Sequence, residues 1–270
     1  MSATPKGFPS RDDLTLVDGV VIRRHDSVAP GAVEWIHDVL TRLASTSFPA
    51  PRPVPYFDGV SVAVVDGVTW SALTYLPGDV VGWSSEPDLA RLGAFLGSFH
   101  AATDAVAIEQ QRPGAFPVGE LPELAEQLDH IGHSARRRQV IHGDMTAHNV
   151  LACGSEREPC GAIDFMNAYV EVPLFDLGCA LWRTGRPSQD AQAFDARRIA
   201  RFVDGYDSVR PLSADDRVAI VVYLRARGVQ IVAKQRARGV VDHGPDQRLA
   251  WLAHHHDRLA SVLVERRRLP

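Results

Sequence analysis

Short apolar runs broken by Asp-Gly pairs characterise the first part of the chain. Residues 14–24 hold two such runs around Asp18-Gly19, and residues 60–76 hold two more around Asp66-Gly67. An Asp-Gly pair between runs rich in β-branched residues is a strong signal for a β-hairpin. Between the two segments, apolar residues recur at helical spacing over residues 31–43. The pattern predicts two hairpins and one intervening helix.

Beyond residue 88 the apolar spacing becomes helical over most of the chain. The exception is the segment 139–165, where short apolar runs and polar turns predict strands and loops. Ser213, followed by Asp215 and Asp216, predicts the start of a long helix, because a serine cap and acidic side chains both stabilise that end. The predicted helices cover residues 89–100, 121–131, 213–229 and 245–267.

These elements predict an α+β fold with two lobes. A small β-rich N-terminal lobe would cover residues 1–76, and a larger, mainly helical C-terminal lobe would cover residues 77–270. Two lobes commonly enclose a ligand between them. We therefore expect the functional site to lie in a cleft between the N-terminal sheet and the helical region.

Composition narrows the class of protein without defining its chemistry. The 270 residues are 45% hydrophobic and 23% charged, with a formal net charge of -4, which predicts a folded chain rather than a disordered one. The polar start and the lack of any apolar run near the roughly 20 residues of a membrane span predict neither a signal segment nor a membrane partner. The mild acidity argues against a nucleic-acid partner. We expect a cytoplasmic monomer or homodimer.

The three cysteines do not indicate a disulfide framework, because their number is odd and small for this length. Cys153 and Cys160 flank a polar turn and could lie across from one another. Since a cytoplasmic setting is reducing, we expect both to be free thiols.

The segment 140–165 carries the strongest chemical signal in the chain. Asp144 lies in a loop, Asn149 precedes an apolar run, and Asp164 ends a second apolar run beyond a polar turn. If the two runs pair as a hairpin, Asn149 and Asp164 meet at its open end, close to Asp144. Carboxylate and amide oxygens are the ligands that Mg²⁺ prefers, and Mg²⁺ shares its shell with substrate phosphates.

The spacing of these residues matches the phosphoryl-transfer template. In that template a catalytic-loop Asp accepts the proton of the attacking hydroxyl, and an Asn and a later Asp hold the metal ions. The spacing assigns the first role to Asp144 and the metal-holding roles to Asn149 and Asp164, with ATP or GTP as the phosphoryl donor.

This motif, His142-Gly143-Asp144 with Asn149 after four further residues and then Ile163-Asp164-Phe165, resembles the aminoglycoside phosphotransferase and choline kinase superfamily. The resemblance implies a protein-kinase-like fold. It also implies that Asp176, in the segment Pro173–Gly178, braces the catalytic loop. His142, near the metal-bearing strand, is expected to support the site structurally rather than to act as a base. The segment from Thr74 to Gly78 resembles the linker whose backbone binds adenine in such enzymes, which makes Thr74 and Leu76 nucleotide-binding candidates. Too few residues separate Asp164 from Asp176 for an activation loop, so a small-molecule acceptor is expected.

The N-terminal lobe departs from the family pattern in two ways. The sequence contains no Gly-rich phosphate loop, so the element covering the phosphates is shortened or absent. The strand lysine of the family is also missing. Strand alternation places Arg23 on the same face as Val21, towards the nucleotide, although a one-residue slip would turn Arg24 inward instead. Glu34, on the following helix, is the candidate partner that orients Arg23.

The expected acceptor follows from the charge of the C-terminal lobe. Arginines outnumber carboxylates between Arg183 and Arg268, which favours a neutral or anionic hydroxyl substrate, such as a nucleoside-type antibiotic, over a polycationic aminoglycoside. Trp83 and Trp182 are candidates for the acceptor pocket or for core packing. Two alternatives to an antibiotic kinase stay open: a metabolic kinase for a sugar or amino alcohol, and a pseudokinase that binds a nucleotide without turnover.

Overall fold

Residues 13–82, 86–108 and 110–265 are described by the structure, a computed structural model. The first part of the predicted N-terminal lobe, residues 1–12, and the candidate Trp83 lie outside these ranges. The side chains of five further residues are not described either: Glu86, Pro87, Asp88, Glu120 and Glu123.

An antiparallel sheet forms the N-terminal part of the molecule. Its strands are β1 (Leu14–Val17), β2 (Val20–His25), β3 (Val62–Val65) and β4 (Val68–Thr74), in the spatial order β1-β2-β4-β3. Both predicted hairpins are confirmed. The Asp and the Gly at the centre of each turn have positive φ, with Asp18 at 48° and Gly19 at 79° in the first turn. This is the backbone of the turn that matches the twist of a two-residue hairpin.

Helix α1 (Pro30–Leu43) connects the two hairpins, as its apolar spacing predicts. Pro30 occupies its first turn, where a missing backbone N–H costs nothing. The apolar face of α1 is buried, and the side chains of Val39 and Leu43 have no exposed surface. The helix thereby forms one wall of the space beneath the sheet.

Short strands carry the loops of the central region. Strands β5 (Asp79–Val80), β7 (Val150–Cys153) and β8 (Glu158–Ala162) form one small sheet, while β6 (Gln139–Ile141) pairs with β9 (Tyr169–Glu171). The predicted pairing of the runs after Asn149 and before Asp164 is confirmed, since β7 and β8 are antiparallel neighbours. This hairpin positions the residues of the chemical motif.

Helices build the rest of the C-terminal region: α2 (Glu86–Asp104), α3 (Ala125–His130), α4 (Pro173–Thr184), α5 (Ala196–Asp207), α6 (Ala214–Ala237) and α7 (Gly244–Glu265). The helix predicted over residues 121–131 is shorter than expected, because Pro122–Leu124 forms a separate 3₁₀ turn before α3. The capping prediction at the start of α6 is confirmed. The Ser213 side chain accepts the backbone N–H of Asp216, whose carboxylate accepts the backbone N–H of Ser213. Within residues 13–82, 86–108 and 110–265, none of the helices combines the length and apolar character of a membrane span.

The prediction of free thiols at Cys153 and Cys160 is wrong for this structure. The two side chains form a disulfide, with their Cα atoms 5.8 Å apart. That separation lies within the range that a disulfide spans, and the β7–β8 hairpin creates it. The expectation rested on the redox compartment alone. Cys179, on α4, is free and buried.

Helices α2 and α5 pack backbone against backbone in the centre of the C-terminal region. A Cβ atom added at Gly205 on α5 would overlap the carbonyl oxygen of Ala90, and one added at Gly93 on α2 would overlap that of Phe202. Only glycine allows two helices to approach this closely. The Trp182 side chain is also buried, against Phe194 at a ring separation of 5.6 Å, so it belongs to the core.

Gly205→Ala is therefore expected to lower the free energy of unfolding by about 1–3 kcal/mol, because the obstructing atoms are backbone and cannot rotate away. Gly31→Ala is the matched control, since its added Cβ would meet only Pro113 at 3.9 Å and alanine favours a helix. Denaturant unfolding of both variants measures the difference. Equal stability of the two variants would contradict the close packing of α2 and α5.

Candidate active site

The loop between β6 and β7 brings Asp144 and Asn149 together. The side-chain nitrogen of Asn149 donates to the backbone oxygen of Asp144 at 2.9 Å and to its Oδ2 at 3.2 Å. These bonds fix the Asn149 amide, so its own oxygen faces away from Asp144. The Asp144 carboxylate is thus held through one oxygen, and its Oδ1 atom is left for other contacts.

A buried carboxylate on α4 holds this loop from below. Asp176 accepts the backbone N–H of His142 at 2.7 Å and that of Gly143 at 2.9 Å. The Asp176 side chain is fully buried. Burial opposes its ionisation, but hydrogen bonds from His100 and from the backbone of His142 lower its pKa below the ordinary value. The structure places Asp176 where the resemblance predicts a brace.

His100 completes the support of Asp176. Its Nε2 lies 3.1 Å from Asp176 Oδ2, and its Nδ1 lies 2.9 Å from the hydroxyl of Tyr206. Burial lowers the pKa of His100, which keeps the ring neutral, with Nε2–H donating to the carboxylate and Nδ1 accepting from the hydroxyl. The sequence predicts only a helix that ends at His100 and gives no sign of this contact. The contribution of Tyr206 has no local signal in the sequence.

His142 links the loop to the end of β8. Its Nε2 is 3.0 Å from the backbone oxygen of Ile163, and its Nδ1 accepts the backbone N–H of Asp144 at 3.3 Å. The residue is fully buried. Both ring nitrogens are therefore used within the fold, as expected of a structural residue.

Asp164 lies at the opposite side of the loop and faces the N-terminal sheet. Its backbone is left-handed, with φ of 59°, and its Oδ1 accepts from Nη1 of Arg23 at 2.8 Å. Burial opposes ionisation of Asp164, but the charge and hydrogen bond of Arg23 lower its pKa. Arg23 faces inward, as strand alternation predicts, while Arg24 pairs with Asp26 at the surface.

The prediction that Glu34 orients Arg23 is wrong. Glu34 lies on the exposed face of α1, whereas Val33, Ile36 and His37 of the same helix line the cleft. Arg23 instead pairs with Asp164, and its Nε lies 3.9 Å from Asp13. Glu34 therefore points to solvent, away from the cleft that Arg23 lines.

A cleft of about 360 Å³ separates the N-terminal sheet and α1 from the catalytic loop. The predicted residues Thr74 and Leu76 line it, and Thr74 is fixed by bonds of its hydroxyl and backbone N–H to the backbone of Arg52. Apolar side chains make up much of the wall: Val21, Ile36, Leu73, Leu76, Leu151 and Ile163. Arg23, Asn149 and Asp164 also line the cleft. Apolar walls suit a purine ring, and the charged groups suit phosphates.

The oxygen donors of the cleft suit a divalent cation bound together with a nucleotide. Asn149 and Asp164 supply amide and carboxylate oxygens, the hard ligands of Mg²⁺. Among the described residues, no group of three His, Cys, Asp or Glu side chains could hold a metal. Two protein oxygens would leave most of the shell of the ion to phosphates and water, which is the arrangement that Mg²⁺ prefers.

The other side of Asp144 faces two arginines that sequence reasoning did not connect with it. Asp144 Oδ1 lies 3.8 Å from Nη2 of Arg227 on α6 and 4.0 Å from Nε of Arg183 on α4. Within the described part of the chain, this buried oxygen has no hydrogen-bond partner. The sequence shows that the region is rich in arginine, but not which arginines reach the loop.

The chain belongs to the phosphotransferase enzyme family, whose model matches residues 13–212. This confirms the resemblance drawn from the motif. Curated relatives include homoserine kinases: that of Methylobacillus glycogenes is 27% identical over 210 residues, covering 72% of this chain and 65% of the relative. That of Acidiphilium cryptum (strain JF-5) is 26% identical, covering 76% and 69%. The chain thus spans just under two thirds of the Methylobacillus protein.

Solved structures show the same fold. An aminopropanol kinase associated with a microcompartment superposes with a TM-score of 0.64 at 19% identity, covering 93% of this chain and 91% of that one. An amicoumacin kinase in complex with AMP-PNP and Ca²⁺ gives a TM-score of 0.64 at 16% identity, covering 92% and 88%. Aminoglycoside 2'-phosphotransferase-IIIa in its GDP complex gives 0.59 at 18% identity, covering 93% and 92%. The predicted protein-kinase-like fold is confirmed.

Asp176→Asn is expected to lower the free energy of unfolding by about 3–5 kcal/mol, because it removes a buried charge that holds two backbone N–H groups and His100. Asp215→Asn, at an exposed position in the first turn of α6, is the control and is expected to change it by less than about 1 kcal/mol. Denaturant titration followed by circular dichroism compares them. Near-wild-type stability of Asp176→Asn would show that the loop does not depend on this carboxylate.

Two histidines of the cleft predict a pH dependence of stability. Burial, followed by the charge of Arg23, lowers the pKa of His25 to about 4, and burial, followed by the charge of His25, lowers that of His37 to about 4. The unfolded chain therefore binds more protons than the folded one between about pH 6.5 and 4, so stability falls as the pH falls through this window.

His37→Asn is expected to flatten this dependence by at most about 1.4 kcal/mol per pH unit, the slope of one titrating group. His130→Asn, at an exposed position of α3, is the control and is expected to retain the wild-type slope. Unfolding midpoints measured from pH 7 to pH 4 test this. An unchanged slope in His37→Asn would contradict the neutral, buried state of His37.

Proposed function

We propose that this chain is a small-molecule kinase that transfers the γ-phosphoryl group of ATP or GTP to a hydroxyl of a small metabolite. The observation that carries the proposal is the arrangement of Asp144, Asn149 and Asp164 beside an apolar cleft. Membership of the phosphotransferase enzyme family supports it.

In the proposed reaction, the acceptor hydroxyl attacks the γ-phosphorus of the nucleotide. A bond forms between the hydroxyl oxygen and the phosphorus, and the bond from the phosphorus to the oxygen bridging the β- and γ-phosphates breaks, releasing ADP or GDP. The hydroxyl proton passes to Oδ1 of Asp144, the carboxylate oxygen without a hydrogen-bond partner in the described structure, and then to water. Asn149 keeps Asp144 in place through Oδ2.

The cleft supplies the nucleotide half of the proposed site. Asn149 and Asp164 would hold Mg²⁺, which neutralises charge on the β- and γ-phosphates. Arg23 would exchange its bond to Asp164 for the phosphates, and so take the place of the lysine and Gly-rich loop that the sequence lacks. The linker at Thr74 and Leu76 would contact the base. Catalysis would rest mainly on positioning and electrostatic stabilisation.

The comparisons favour a metabolic acceptor over the antibiotic expected from the sequence. The curated relatives named above are homoserine kinases, which supports the metabolic alternative. A short amino alcohol or hydroxy amino acid is therefore the acceptor class that we propose first. The pseudokinase alternative is opposed by the presence of all three motif residues in one site. The division of the chain at residue 76, the cytoplasmic setting and the monomeric or homodimeric state stay predictions.

Asp144→Ala is expected to lower kcat by roughly 10²–10⁴-fold, the contribution of a general base, while nucleotide affinity changes little. A coupled assay for ADP or GDP release, with mass spectrometry of the product, measures the transfer, and calorimetry with MgATP measures binding. Asp257→Asn, on the exposed face of α7, is the control and keeps wild-type values.

Two results would contradict the proposal in different ways. Wild-type turnover by Asp144→Ala would show that Asp144 is not the general base. Binding of MgATP and MgGTP without product, across amino alcohols, hydroxy acids, sugars and antibiotics, would favour a binding protein.

A further inference from the structure

Arg227 is a largely buried cation whose hydrogen-bond donors are only partly used. Its side chain is 13% exposed, and Nη1 donates to Oε1 of Gln230 at 2.6 Å. Its Nη2 lies 3.8 Å from Asp144 Oδ1, beyond the 2.7–2.9 Å of a charge-assisted hydrogen bond. In the described part of the chain, the buried Nε of Arg227 has no hydrogen-bond partner. A buried guanidinium with unused donors points to a ligand.

The elements around Arg227 fix its position. Gln230 follows on the same face of α6, and its amide donates to the backbone oxygen of Phe116 at 3.0 Å. Lys234 continues this face by one further turn. Desolvation, followed by the charge of Arg227, lowers the pKa of Lys234, as expected of two neighbouring cations. This face of α6 therefore presents positive charge beside the catalytic loop.

Arg183 approaches the same carboxylate oxygen from α4. Its Nε lies 4.0 Å from Asp144 Oδ1, and its side chain is half exposed. The two arginines thus converge on Asp144 from a buried and an open side. Neither is close enough to be hydrogen-bonded to it, so holding Asp144 does not account for their donors.

We propose that Arg183 and Arg227 bind a carboxylate of the acceptor, and that the acceptor is therefore a short hydroxy acid rather than a simple amino alcohol. This inference rests on the proposed function, since it places the acceptor hydroxyl at Asp144 Oδ1. Both arginines lie within 4.0 Å of that oxygen, so only a few carbon atoms separate the hydroxyl from the carboxylate. A planar guanidinium matches a carboxylate in two parallel hydrogen bonds.

Acceptors that differ only by a carboxylate test the inference on the intact protein. Suitable pairs are homoserine with 3-aminopropan-1-ol, serine with ethanolamine, and 4-hydroxybutyrate with propan-1-ol. The acceptors carrying the carboxylate are expected to have kcat/KM values roughly 10- to 100-fold higher than their partners, the value of hydrogen bonds to a charged group. The difference should fall mainly on KM.

The variants Arg183→Gln and Arg227→Gln are expected to lower kcat/KM for the hydroxy acids by about 10-fold or more, and to leave the amino alcohols nearly unchanged. Arg225→Gln is the matched control, because Arg225 lies on the same helix but donates to Gln127 at 3.0 Å. This variant is expected to keep the wild-type ratio of kcat/KM for a hydroxy acid to kcat/KM for its amino alcohol partner. A thermal melting experiment first shows whether each variant is folded. If Arg227→Gln is unfolded, Arg183→Gln still tests the inference, because the Arg183 side chain is half exposed and its replacement should not disturb the fold.

The outcomes separate this inference from the proposed function. If the wild type phosphorylates amino alcohols or sugars with kcat/KM values equal to those of the hydroxy acids, the inference fails and the proposed function stands. Equal losses for both members of a pair in Arg183→Gln and Arg227→Gln would show that the arginines only position Asp144, which also overturns it. If nucleotide binds and no alcohol is phosphorylated, the proposed function itself fails.

Discussion

The buried carboxylate of Asp176 is the constraint on which the site depends. It is ionised inside the protein, a state that is stable only when every oxygen is hydrogen-bonded. Its partners are the backbone of His142 and Gly143 and the ring of His100, which come from the catalytic loop and from α2. The need to satisfy one charge therefore joins α2, α4 and the loop. Tyr206 extends this chain of bonds to α5.

Gly143 turns the constrained loop so that its two sides face different ligands. Its φ is 75°, and a Cβ there would overlap the backbone oxygen of Asn167, so only glycine permits this close approach. The turn brings Asp144 towards α4 and α6, while Asp164, at the end of the β7–β8 hairpin, faces the N-terminal sheet. Asp144 therefore lies beside the helices, where the acceptor is proposed to bind, and Asp164 lies beside the sheet, where the nucleotide is proposed to bind.

The parts of the site that can be predicted from the sequence are those set by residues close together along the chain. The Asp-Gly turns define both hairpins, and the spacing of Asp144, Asn149 and Asp164 defines the loop and the strands beside it. The errors have physical causes at longer range. The direction in which the Glu34 side chain points depends on how α1 is rotated against the sheet. The Cys153–Cys160 bond depends on the register of the β7–β8 hairpin, which shifts between Leu151 and Ala152. The approach of Arg183 and Arg227 to Asp144 depends on how α4 and α6 pack, which no local pattern records.

Charge within a few ångströms of Asp144 decides more about the acceptor than the net charge of the chain. For its proposed role as general base, Asp144 needs one carboxylate oxygen that is free to accept a proton. Oδ1 meets this condition, because Asn149 holds Oδ2 while the arginines stay beyond hydrogen-bond distance from Oδ1. The same gap leaves guanidinium donors of Arg227 unused. A cationic acceptor would add a like charge beside two arginines, which is unfavourable in a partly desolvated site. An anionic acceptor would satisfy those donors and leave Oδ1 free to take the hydroxyl proton.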